Sequence, residues 1–250
     1  MKRLRSMTQR FVTIGLVAIG VTSVSFAQVG FKLGLGGGLV SPMADYGGST
    51  AEYYDGKNYG LSTGWNLHGK VRLNLVGFNV AGQIGYSFLS NSGTPPQGGG
   101  TVEVAHNVFT IKVGPEYHIS LPASPVAIYL GANGQWNSFS GSTTFKGISG
   151  VSSGTIDLTS ASRIGVGFSA GVIVRVPALP TFDIGLNYDL MNLSGKAFEQ
   201  DPSKDNREES YAYLNDEKDP AYRASDSKHF IATSRSISAL TITVAVMFGL

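Results

Sequence analysis

Acid–base and nucleophilic chemistry need His, Cys, carboxylate, Lys or Tyr side chains brought within a hydrogen bond of one another. The sequence has four histidines, His68, His106, His118 and His229, and no cysteine. A thiol nucleophile and a disulfide framework are therefore both ruled out. None of the histidines belongs to a recognisable nucleophile motif, and a lone His with a distant carboxylate is weak evidence for a charge relay. His68 reads as a member of a polar interior network, His106 as a polar residue at a strand edge, and His118 as lying beside a short link. Metal-ligand spacings, phosphate loops and dinucleotide fingerprints are missing; Gly34–Gly38 is glycine-rich, but no helical pattern follows it. No catalytic residue, cofactor or metal is expected.

The remaining chemistry is charge, and its placement is regular. Lys70, Arg72, Lys112, Arg163 and Arg175, with Lys32, are set against Glu116, Asp183 and Asp189. Each stands in a run where apolar residues alternate with small or polar ones, and each takes the polar parity. Period-two alternation marks a strand with two unlike faces.

The final stretch shows this most plainly. Leu240, Ile242, Val244, Val246, Phe248 and Leu250 share one face, and Thr241, Thr243, Ala245, Met247 and Gly249 the other. Seven earlier segments repeat the pattern: 28–40, 61–74, 78–89, 107–118, 126–137, 159–176 and 182–191. With 235–250 they make eight. In 28–40 the polar parity is almost all glycine, which suits a narrow interior where other strands' long side chains need room. Pro115 interrupts the fourth run and is read as a bulge or a strand end.

The links at 75–77, 119–125 and 177–181 are short; those at 41–60, 90–102, 138–158 and 192–234 are long, the Ser/Gly/Thr stretch 138–158 reading either as a loop or as strand extensions beyond the bilayer. Short and long alternate strictly, the asymmetry of an outer-membrane barrel. Aromatics toward the ends of the apolar faces (Phe31, Trp65, Phe78, Tyr86, Phe88, Tyr117, Trp136, Phe182, Tyr188, Phe248) fit the interfacial girdles of such a barrel.

Lys2, Arg3, Arg5 and Arg10 precede an apolar run, Phe11–Val24, and Ser25-Phe26-Ala27 offers a small-x-small cleavage site. Residues 1–27 therefore read as a signal peptide and 28–250 as one barrel domain. Removing the four basic residues takes the formal net charge from +2 to −2, so no basic patch for nucleic acid survives. The expected fold is all-β: an eight-stranded antiparallel up-and-down transmembrane barrel, monomeric, in contact with outer-membrane lipid.

An eight-stranded barrel has an interior just wide enough for side chains to fill it. Arg72, Glu116, Arg175 and Asp183 lie near the short links and are expected to form one layer of carboxylate–guanidinium pairs. Such a lumen reads as a plug, or alternatively as a narrow salt-bridge-gated conduit for ions or small solutes. A periplasmic lipocalin-like ligand binder is a further alternative, in which the apolar parity would face inward. Tyr53 and Tyr54 in the first long loop and Tyr213 in the last are candidates for a contact surface toward an extracellular partner. The charge-dense 192–234 segment, with mixed signs, reads as solvated.

These features resemble the small outer-membrane barrels of the OmpA/OmpX type, and Gly69–Asn91 and Asn107–His118 look like the outer-membrane β-barrel domain of Gram-negative bacteria. The resemblance implies a bacterial outer-membrane location and a non-enzymatic structural or surface role. It also implies that the last strand, Leu240 to Leu250, is the recognition signal for the barrel-insertion machinery.

Overall fold

The computed structural model describes residues 30–75, 78–95, 99–120, 124–175 and 179–249. The proposed signal peptide, residues 28–29 of the first run and Leu250 lie outside the described residues. Eight strands follow in order: β1 (Gly30–Ala44), β2 (Gly64–Leu75), β3 (Phe78–Gly93), β4 (Thr101–Ser120), β5 (Val126–Lys146), β6 (Gly154–Val174), β7 (Thr181–Ser194) and β8 (Ile237–Gly249). Each pairs antiparallel with its sequence neighbours, and β1 pairs with β8, so the sheet closes on itself. Closure leaves no edge within the ring.

The alternation sorts the side chains as the parity argument requires. One line of register passes through Val246, Leu35, Gly69, Ile84, Ile111, Trp136 and Ile164, all on the outer face. Leu35 is 76% exposed, and Leu33, Val113, Phe168 and Phe248 are likewise exposed. Arg72, Glu116, Arg163, Asp183 and Asp189 are buried inside. This is the inverse of a soluble barrel, and it overturns the lipocalin-like alternative, which needed the apolar parity within.

The glycine-lined face of β1 makes room for its neighbours. A Cβ on Gly36 would lie 2.6 Å from His68 Nε2 and 2.7 Å from the Ala245 Cβ, so only glycine lets the His68 ring lie across this strand. Pro115 is neither a bulge nor a strand end: β4 continues to Ser120, and Val113↔Gly134 and Glu116↔Gly131 keep one register on either side of it.

Two stretches settle as strand. Segment 138–158, open in the sequence between a loop and strand extensions, is mostly strand, because β5 runs on to Lys146 and β6 starts at Gly154. Likewise β3 reaches Gly93 and β4 begins at Thr101, so the strands at this end project well past β1, β2, β7 and β8. A register shift after Phe139↔Ala161 puts an extra residue on β6, turning the inward parity from odd (Arg163) to even (Leu158). The local twist and change of face are what a bulge produces.

Candidate functional site

Three layers fill the barrel. At the short-turn end, Arg72 donates from Nε to Glu116 Oε2 (2.6 Å) and from Nη2 to Asp183 Oδ2 (2.9 Å). Lys70 bridges the same two carboxylates, at 3.2 Å from Glu116 and 2.9 Å from Asp183. Tyr129 donates its hydroxyl to Asp183 Oδ1 (2.9 Å), and the His118 ring meets Glu116 Oε2 at 3.1 Å. The closed ladder drives these side chains together from β2, β4, β5 and β7, and the glycines opposite leave them space. A buried charge needs such a network, because each unpaired member would carry its full desolvation cost.

Of the expected layer, Arg72, Glu116 and Asp183 meet, and Lys70 joins them. Arg175 does not: it is exposed just beyond β6, and its backbone N–H donates to the Pro125 carbonyl. Its parity is inward, but the strand has already ended at Val174, so parity no longer governs its direction. Tyr129 and His118 are members that the charge pattern did not single out; their inward parity was the available signal.

Higher in the barrel, Lys112 pairs with Asp189 at 2.5 Å. Amide and hydroxyl side chains surround this pair, including Asn66, Gln83, Thr110 and Asn187. The two interior cavities beside Lys112 are each about 20 Å³, room for roughly one water molecule.

At the long-loop end the interior becomes apolar, and loops enter it. Val40, Leu89, Val102, Val104, Val108, Phe139 and Phe145 from the strands pack with Tyr46, Tyr53, Tyr54 and Tyr59 of loop 45–63 and with Tyr211 and Leu214 of loop 195–236. A short helix, α1 (Thr50–Tyr54), starts at Ser49 with a capping box: the Ser49 hydroxyl accepts from the Glu52 N–H, and the Glu52 carboxylate accepts from the Ser49 N–H. That hydrogen bond, with further ones from Asn58 and the Ser49 hydroxyl, holds the Glu52 carboxyl below its ordinary range.

The α1 helix aims two tyrosines inward. Tyr53 shares a hydrogen bond with Thr143 Oγ1 (2.7 Å), and burial pushes its phenol up to about 12. Tyr54 donates to the Ser149 carbonyl, and its ring lies under the Arg207 guanidinium at 4.2 Å. Tyr53 and Tyr54 are therefore anchors of the first loop, not members of an exposed contact surface. An aromatic ring gains more from this apolar mouth than from solvent. Tyr213 is half-buried beside the same cluster.

The last long loop is tied down through Asp216, which has no exposed side-chain surface. Its oxygens accept from Arg163 Nε (2.8 Å) and Nη2 (2.7 Å), Asn192 Nδ2 (2.9 Å) and the Ala197 N–H (3.0 Å). Burial alone would raise the Asp216 carboxyl, but these donors outweigh it and hold it below the ordinary carboxylate range. Arg163 therefore belongs to a strand-to-loop tie rather than to the lower charge layer. Arg235 stacks over Tyr59 at 4.1 Å and donates to the Leu214 and Asn215 carbonyls. The segment read as solvated is thus partly internal, because its buried carboxylate and backbone oxygens find partners inside the barrel mouth.

His106 lies under this cap between Tyr46 and Tyr59, with ring centroids 5.8 and 5.7 Å away. It is buried at this position, not at an edge, because β4 starts at Thr101, six residues earlier than its pattern suggests. His229 Nδ1 donates to Asp219 Oδ2 (2.8 Å) in the last loop. No group of His, Cys, Asp and Glu side chains among the described residues could hold a metal ion.

Fold, inside-out polarity and asymmetric connections define an eight-stranded up-and-down barrel with an apolar exterior. No protein-family model and no curated protein matches the sequence. Solved structures of similar outline include Neisserial surface protein A, at 16% identity and a TM-score of 0.46, covering 87% of this chain and 97% of that one. A major outer membrane protein from Thermus thermophilus aligns at 13% identity and a TM-score of 0.46, covering 88% and 99%. The N-terminal barrel domain of Pseudomonas aeruginosa OprF aligns at 10% identity and a TM-score of 0.39, covering 88% and 97%.

Proposed function

We propose that this chain is an outer-membrane β-barrel with a non-enzymatic structural and surface role: it stands in the bilayer as a sealed cylinder and presents its capped long-loop end outside. One observation carries the reading. The outer face is an unbroken apolar belt from β1 through β8, while charges fill the inside. Soluble monomers rarely expose contiguous apolar patches beyond a few hundred Å², whereas a closed barrel with that face is one of the two architectures that can cross lipid.

Aromatic rings mark the upper border of the belt. Trp65 stacks on Phe88 at 4.0 Å, and Phe109 meets Trp136 edge-on at 6.0 Å. Phe78, Tyr117, Phe182 and Phe248 mark the lower one. On this reading the short turns face the periplasm, and the outward residues of β8 from Leu240 onward serve as the insertion signal for the assembly machinery. The apolar cap and the small lumen cavities favour a plug over a conduit.

The test is migration of the membrane fraction on a detergent gel, boiled against unboiled, followed by conductance in a planar bilayer. We expect an outer-membrane species that shifts on boiling and carries no steady current. A single band in the soluble periplasmic fraction would end the membrane reading. Charge-selective current altered by Arg72→Met would replace the plug with a channel.

A further inference from the structure

We propose that loop 45–63 is an acid-opened lid, hinged at Ala44 and latched over the neutral imidazole of His106. The hinge is visible in the backbone. Among the described residues other than glycine, Ala44 and Asn215 alone have a positive φ. Asparagine tolerates that region; alanine, here at +50°, is strained in it. The strain is held by a turn in which the Tyr46 N–H donates to the Met43 carbonyl at 3.1 Å, and by Asp45, which accepts from the Ser236 N–H at 2.8 Å. At this turn β1 ends and the loop folds inward over the mouth. Strained residues of this kind persist only where their surroundings enforce them, and they gather at switch segments.

The latch lies beneath. His106 is 3% exposed, and its Nδ1 has no hydrogen-bond partner among the described residues; nor has the hydroxyl of Tyr46, which is wholly buried. Tyr46 and Tyr59 close over the ring from the loop, and Leu89 and Gly141 flank it in register on β3 and β5. The other titratable side chains around it are Tyr53 of the lid and Tyr211, Tyr213 and Arg235 of the last loop. The phenols stay neutral below about pH 9, so the charge in this set is Arg235, a cation. An imidazolium here would meet apolar rings and a like charge. Burial, with Arg235 behind it, pushes the His106 pKa down to about 3.

The sign of the pH dependence follows. With the lid lifted, the ring meets solvent and titrates near 6.5. A closed-state value below the open-state one favours closure in full above about pH 6.5, and closure weakens as pH falls toward 3, by up to about tenfold in population for each unit. Loop 195–236 has its own tie, from Asp216 to Arg163 and Asn192, which holds to lower pH. The first loop therefore lifts alone. Tyr46 also roofs the polar cavity that reaches Lys112 and Asp189. Opening brings outside water toward that pair while the Arg72 layer below still seals the cylinder.

The test is amide hydrogen exchange on the refolded full chain in detergent micelles, expressed as protection relative to the free-chain rate at each pH. The reporters are the Tyr59 and Leu61 amides, which donate within the lid to the Asp45 and Tyr46 carbonyls. We expect their protection to be about tenfold lower at pH 5.5 than at pH 7.5, with the barrel amides and those of loop 195–236 unchanged. His106→Leu should abolish the difference and keep the lid protected at both pH values. Ala44→Gly, which removes the strain from the closed form, should raise protection severalfold at both and keep the ratio. Protection that does not depend on pH, or that falls equally in His106→Leu, would overturn the latch, and Ala44→Gly without effect would overturn the hinge. Should His106→Leu fail to fold, the imidazole carbon resonances of the unaltered chain decide: a ring that stays neutral to below about pH 5 supports the latch, and one that titrates at about 6.5 or above overturns it.

Discussion

Two buried carboxylates do different work at the residue scale. Glu116 neutralises Arg72 and Lys70 within the lower layer and has a third neighbour in His118. Replacing it with Gln leaves two cations sharing Asp183 in a lumen that water barely reaches. Breaking a buried ion pair from one side typically destabilises by about 3–5 kcal/mol. Glu116→Gln should therefore lower the urea midpoint at which the unboiled gel species is lost, while an exchange at exposed Arg175 should leave it unmoved. Asp216 works on the cap. Its folded-state pKa is depressed, so its contribution is complete above the unfolded value near 4 and is lost as pH falls through the folded one. Protease digestion of loop 195–236 should thus be slow at pH 7 and speed up only below about pH 4; Asp216→Asn should make it fast at pH 7. Slow digestion of that variant at neutral pH would remove Asp216 as the tie. Strand parity with nearness to the short links made Arg72, Glu116 and Asp183 of the lower layer legible, but it also admitted Arg175, which lies past the end of β6 where parity no longer sets a side chain's direction. Asp216 was not legible, since nothing in a charge-dense loop distinguishes the one carboxylate that turns inward from the many that face water.

The elements divide into a regular ring and an irregular crown. Parity and the alternation of short and long links carried the ring, because one buried and one exposed face leave a period-two trace in each strand. The trace fades in the crown for a physical reason. Above the belt the outer face is Ser and Thr rather than Leu and Ile, so the contrast between the two faces of 138–158 shrinks to Phe139, Phe145 and Leu158. The register shift in β6 then reverses which parity is inward. Loop 45–63 has no period, which is why Tyr53 and Tyr54 read equally well as surface contacts. What its sequence did contain is Ser49 followed three residues later by Glu52, the pattern of a capping box. That cap sets the direction of α1 and with it the aim of both tyrosines. Ser49→Ala should cost about 1 kcal/mol of local stability, seen as faster hydrogen exchange at the Glu52 and Tyr53 amides with the barrel amides unchanged. Exchange that rises throughout the barrel would mean that the crown and ring unfold together.

Taken whole, the molecule is turned inside out, and its solvent determines what a surface substitution does. Leu35 sits midway along β1, in register with Gly69 and Val246, and is the most exposed large apolar side chain among the described residues. In water an arginine there would be welcome, and surface exchanges of that kind usually stay within about 0.5 kcal/mol. In the hydrocarbon the same arginine must be dragged from water, at about 2–4 kcal/mol near the bilayer midplane. Leu35→Arg therefore reports directly on which solvent the belt meets. Measured by urea unfolding in phospholipid vesicles, it should destabilise the barrel by that larger amount, and Leu39→Arg, nearer the upper border, by less, because the cost falls toward the interface. A neutral result at both positions would mean that the belt is covered by protein or water instead of lipid, and the closed barrel would then need a partner to hide it. A graded loss from Leu35 to Leu39 would fix both the solvent and the height at which this cylinder stands in it.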